Sequence, residues 1–144
     1  MPGNPDPIYS RIGDVSNNGV TGMNALVTLA ANDFTGAGAN NSLAFTADAT
    51  NGSYVQRIRF KAGGTNTASV ARIFLNNGAA NTTATNNVFY GEVSLPATTA
   101  SAVSATAEID YPLNFALPAG FRIYFGLATA VAAGWVATAI AGKY

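Results

Sequence analysis

The sequence predicts an all-β protein: an antiparallel β-sandwich, jelly-roll-like, of about eight strands, with an extended N-terminal arm. Three observations carry this. Apolar residues recur with a period of two from Leu26 to Ile140, the mark of strands with one face on a core. Asn-Gly, Gly-rich and Pro-containing segments separate those runs as turns do. Nowhere do strand patterns alternate with helix patterns, so the sheets are antiparallel rather than parallel.

The elements follow in chain order. Pro2, Pro5 and Pro7 remove ladder donors and hold their neighbours extended, so residues 1–20 read as an arm and 21–144 as the sandwich domain. Ile8, Tyr9 and Ile12 give the arm apolar anchors and Arg11 a charge; a frayed terminus is the plain alternative. Weaker strand signals cover 25–31 and 42–48. Ile58 and Phe60 then alternate with Arg57, Arg59 and Lys61. Ala71, Ile73 and Leu75 alternate with Arg72 and Phe74. Phe89, Val93 and Leu95 alternate with Tyr90, Glu92 and Ser94. Ile109, Tyr111, Leu113, Phe115 and Leu117 alternate with Glu108, Asp110, Pro112 and Asn114. Phe121, Ile123, Phe125 and Leu127 alternate with Arg122 and Tyr124, and Trp135, Ala137 and Ala139 with Val136, Thr138 and Ile140. Asn18-Gly19, Asn51-Gly52 and Asn77-Gly78 suit positive φ. Pro118-Ala119-Gly120 fits a turn with Pro second and Gly fourth. ATTASAVSATA is rich in Ala but lacks caps and helical spacing, so it reads as loop. The expected core is Ile58, Phe60, Ile73, Leu75, Leu113, Phe115, Phe121, Ile123 and Phe125.

Composition narrows the function. The chain has 144 residues, the length of one domain, and contains neither cysteine nor histidine. Thiolate chemistry, disulfides and the commonest general base and metal ligand are thereby excluded. Seven basic and seven acidic residues cancel, and charged residues make up only 10%. A nucleic-acid binder would show a basic excess. The first residues lack a basic and apolar leader, and no apolar run is long enough to span a bilayer, so synthesis in the cytoplasm and no membrane partner are expected.

Few motifs carry chemistry. GAGAN at 36–40 lacks the lysine and remaining spacing of a phosphate loop. Glu108 and Asp110 share a strand face, as paired carboxylates of a hydrolase or calcium site would, but on the polar side of a clear strand they read as a solvated or ion-paired face. Arg57, Arg59 and Lys61 form a basic row. It either meets an acidic partner surface or pairs across strands with Glu108 and Asp110, because three like charges need a counter-charge nearby. Asn-X-Ser/Thr triplets at 40–42, 51–53 and 81–83 are expected by chance in so Asn- and Thr-rich a chain. Phe121 and Phe125 belong to the core; Trp135, beside Gly134 at a loop edge, is the candidate for an exposed sugar-binding ring. No enzyme and no cofactor are expected.

The succession VQRIRFKAGGTNTASVARIFLNNG, FYGEVSLPATTAS, YPLNFALPAGFRIYFGLATA and GWVATAIAGKY, within 54–144, resembles small structural proteins of tailed bacteriophages, in particular head decoration (cement) proteins. The motifs are loose and the N-terminal third matches less well. The resemblance implies a β-sandwich, often a homotrimer, seated on the major capsid protein at the outer surface of the head. It implies no catalytic residue. Ile8, Tyr9, Arg11, Ile12, Arg57, Arg59 and Lys61 are then the expected partner contacts. Tail components are similar at this level, so the alternative is a tail-associated carbohydrate- or receptor-binding sandwich. An exposed Trp135 or Tyr90 in a shallow groove would favour it.

Overall fold

The computed structural model of the chain describes residue 10 and the ranges 12–15 and 25–144. Eight strands build it: β1 (Ile12–Val15), β2 (Ser42–Thr46), β3 (Ser53–Ala62), β4 (Ser69–Asn76), β5 (Asn87–Leu95), β6 (Glu108–Leu117), β7 (Arg122–Leu127) and β8 (Trp135–Lys143). Among the described residues the single helical element is one 3₁₀ turn, Ala84–Asn86. Two four-stranded antiparallel sheets result, ordered β1-β8-β3-β6 and β2-β7-β4-β5. The chain changes sheet at every connection except β4 to β5. Strands therefore pair in a nested series, 1 with 8, 2 with 7, 3 with 6 and 4 with 5.

The inner faces meet over Val55, Ile58, Phe60, Ile73, Ile123, Phe125 and Trp135, all essentially inaccessible. Phe60 from the first sheet and Phe125 from the second stand edge to face, with ring centroids 5.6 Å apart at 72°, a favoured aromatic geometry. Leu75, Phe115 and Phe121 point inward as the alternation requires but are only partly buried. All three line an open groove of about 330 Å³ at one end of the sandwich.

Several expectations need correction. Residues 25–31 form no strand: Val27 bridges Trp135 in one sheet, while Ala30 bridges Leu127 in the other. A segment that changes partner within three residues cannot build a ladder. The strand that replaces it is β1, drawn from the expected arm and paired with β8 from Ile12 opposite Lys143 to Val15 opposite Ile140. Phe89 does not share a face with Val93 and Leu95. A bulge shifts the β4–β5 register between Ile73 and Phe74, which pair with Gly91 and Phe89. One extra residue reverses every later side chain, so Phe89 joins Phe74 on the outer face. Phe74, expected on the polar side, is wholly buried there. Finally, the Pro118 turn closes from Phe121 N–H to the Pro118 carbonyl at 3.1 Å. That puts Gly120, at φ 75°, third in the turn rather than fourth, where left-handed backbone favours glycine. Gly52 and Gly78 have the expected positive φ, 76° and 91°; Asn18-Gly19 lies outside the described residues.

Candidate functional site

The basic row sits on the outer face of the first sheet, where β3 alternation turns Arg57, Arg59 and Lys61 away from Ile58 and Phe60. The β3–β6 register sets Arg59 opposite Asp110 and Lys61 opposite Glu108. Arg59 forks onto Asp110, donating from Nε to Oδ1 at 2.8 Å and from Nη2 to Oδ2 at 3.1 Å. Arg57 Nε lies 3.6 Å from the same Oδ1, and Glu108 stands 3.9 Å from Arg59 and 4.0 Å from Lys61. Lys61 also donates to the Thr106 carbonyl at 2.7 Å. The hydrogen bond from Arg59 holds the Asp110 carboxyl below its ordinary pKa, and Asp110 raises that of Arg59. Cross-strand pairing with Glu108 and Asp110 is thus what the face does within the chain. Each pair is exposed and contributes little stability. Together they fix five charged side chains into a flat lattice of three cations and two anions.

Of the expected arm contacts, Ile12 opens β1 and is exposed. Ile8, Tyr9 and Arg11 lie outside the described residues. Trp135, the candidate sugar platform, is fully buried in the core, whereas Tyr90 is 41% exposed. Tyr90 leans on Phe115 and Tyr111 across the open edge between β5 and β6, with centroids 5.4 and 6.4 Å away.

In GAGAN the Gly36 and Gly38 amides already bind Asp33 and the Ala37 amide binds the Thr35 hydroxyl, so these three are not free to cradle an anion. Asp33 Oδ1 accepts from the Thr35 and Gly36 N–H groups at 2.7 and 2.6 Å and from the Thr35 hydroxyl at 3.1 Å. Its Oδ2 accepts from Gly38 N–H at 2.9 Å and Asn41 Nδ2 at 2.7 Å. Burial alone would raise the Asp33 pKa; the bonds from Asn41, Thr35 and Gly36 outweigh it and hold the carboxyl below its usual range. Beside this knot Arg72 lies over the Phe34 ring, its guanidinium carbon 3.8 Å from the centroid. Sequence reading missed this assembly, since the segment 32–41 looks like a polar loop. The one signal was Phe34, an aromatic placed inside it.

Among the described residues no group of three or more His, Cys, Asp or Glu side chains is arranged to hold a metal, and no helix is long and apolar enough to cross a membrane. Compared with known proteins, the chain matches no family model, no curated protein and no solved structure.

Proposed function

We propose that the protein is a non-enzymatic structural component of a bacteriophage virion, a decoration or cement protein that binds the outer surface of the major capsid shell as a homotrimer and stabilises it. The observation that carries this reading is the nested pairing of eight strands, which supports a jelly-roll winding, the double-sheet architecture of viral capsid and lectin domains. The ion-paired face of β3 and β6 adds a rigid surface that gives register to a contact more than affinity. The resemblance of residues 54–144 to decoration proteins points the same way. The tail-associated alternative keeps one of its two supports, the exposed Tyr90, and loses Trp135.

The test is binding of purified protein to undecorated capsid shells. Saturable occupancy with a raised shell melting temperature is the expected result. No binding to any such shell, together with binding to tail receptors, would overturn the proposal.

A further inference from the structure

The connection between β5 and β6, residues 96–107, is clamped at two points. Thr98 donates from Oγ1 to the Gly64 carbonyl at 2.6 Å and from its N–H to the Asn66 carbonyl at 2.9 Å. Thr106 donates from Oγ1 to the Ala62 carbonyl at 3.0 Å, and its own carbonyl accepts from Lys61 Nζ at 2.7 Å. Between the clamps, residues 99–105 are all exposed, and Val103 reaches 96%. Ala100 N–H donates to the Thr65 hydroxyl at 2.9 Å, and Val103 N–H donates to the Ser101 hydroxyl at 3.2 Å. The second bond closes within the stretch, so among the described residues a single bond, the one to Thr65, ties 99–105 to the rest of the fold.

Other long loops are held far more firmly. Asp33 accepts five bonds within 33–41. Asn77, Asn86 and Asn87 cross-link 77–87 through their side chains. In 128–134, Val131 is buried and Thr129 bonds to Ser69 and Ala68. Opening 99–105 breaks almost nothing, so its free energy lies at the low end of local unfolding. An endopeptidase must draw its substrate into its cleft as an extended chain, and exposed tips of small and polar residues yield most readily. The side chains decide which kind of endopeptidase fits. TASAVSA, residues 99–105, contains no basic or aromatic residue. A small S1 pocket accepts Val or Ala, whereas a trypsin-type pocket needs a cation. The cations Arg57, Arg59, Lys61, Arg72 and Arg122 all stand on β3, β4 and β7, locked in ladders.

We infer that the 99–105 loop is a processing site, at which an endopeptidase with a small S1 pocket hydrolyses the peptide bond between Val103 and Ser104 while the sandwich stays assembled. Water adds across that bond: its hydroxyl goes to the Val103 carbonyl carbon and its proton to the Ser104 nitrogen, and no other reactant is needed. The two pieces remain together because every strand after the cut pairs with strands before it. β6 pairs with β3, β7 with β2 and β4, and β8 with β1 and β3. The inference goes beyond the decoration reading and does not depend on it.

The experiment is limited proteolysis of the native full chain with elastase and, separately, with trypsin, read by mass spectrometry. Elastase should cut first after Val103, giving fragments 1–103 and 104–144. These should co-elute in gel filtration and keep the circular dichroism of the intact protein. Trypsin should leave β3, β4 and β7 uncut. Val103→Lys, a change at a solvent-exposed side chain, should make trypsin cut at this point and yield the same pair of fragments. Four results would overturn the inference: elastase that leaves the native chain whole yet cleaves it in urea; a first elastase cut in 77–86 or 128–134; a Val103→Lys variant that trypsin does not cut there; or fragments that separate or lose the sheet signal. Tryptic cuts in β3, β4 or β7 at the elastase rate would overturn it as well, because cleavage would then proceed through global unfolding rather than local opening.

Discussion

Asn66 shows how one buried polar residue organises a loop. It is almost inaccessible, and its side chain makes three bonds. Nδ2 donates to the Gly134 carbonyl at 3.0 Å, while Oδ1 accepts from the Ala133 and Gly134 N–H groups at 2.8 and 2.9 Å. Its backbone exchanges two further bonds with Thr98. Asn66→Ala leaves those loop groups buried and unpaired, so we expect a loss of about 3 kcal/mol in urea unfolding. Asp33 gives a pH-dependent counterpart. Its folded pKa is lowered, so the stability it contributes is fully present above the ordinary aspartate value near 4 and disappears as pH falls through the lower folded value. Asp33→Asn should therefore destabilise the protein at neutral pH and flatten the acid limb of its stability profile below about pH 4. An unchanged acid limb would mean that the knot forms equally with a neutral side chain.

At the scale of elements, the core prediction depends on where each strand ends. Phe125 is wholly buried between the sheets, whereas Phe121 stands at the open groove. Phe125→Ala should cost about 3–5 kcal/mol, and Phe121→Ala about half as much, since less apolar area leaves water on folding. Equal losses would mean that the groove is closed in solution. The same contrast explains what was legible in the sequence. Period-two alternation placed β3, β4, β6, β7 and β8 and put Ile58, Phe60, Ile73, Ile123 and Phe125 inside, because a strand repeats its facing every two residues. Alternation carries no information about layers above a sheet, so Phe74 passed for an outward residue when the 32–41 loop covers it. It is also blind to a bulge, so Phe89 was given the wrong face. β1 was hidden because four residues, Ile12–Val15, are too short for a pattern, and their pairing with β8 spans most of the chain. At the charged face, the spacing of Glu108 and Asp110 against the basic row made the pairing legible; which acid meets which base was decided by register.

For the whole molecule, the proposed decoration role raises the question of which surface would meet a shell. Two elements compete: the segment before β1 and the ion-paired face of β3 and β6. The face is already largely neutralised by Glu108 and Asp110, so it retains little charge to spend on a partner, and its exposed pairs are screened by salt. The segment before β1 offers Ile8 and Tyr9 as apolar area, worth roughly 25 cal/mol per Å² buried, and its prolines reduce the entropy lost on ordering. We therefore expect the segment to dominate attachment. The truncation that tests this must stop at Arg11, because Ile12 begins β1 and a longer cut would strip β8 of its edge partner. Removing residues 2–11 should leave the circular dichroism of the sandwich unchanged. It should also lower occupancy on undecorated shells, or lower the oligomer mass in light scattering if the segment is exchanged between subunits. Arg57→Ala with Arg59→Ala should instead reduce occupancy slightly, by slowing association, with the effect greatest at low salt. Wild-type occupancy and mass after the truncation would sink the segment hypothesis. A large loss confined to the double arginine variant would transfer attachment to the β3–β6 face.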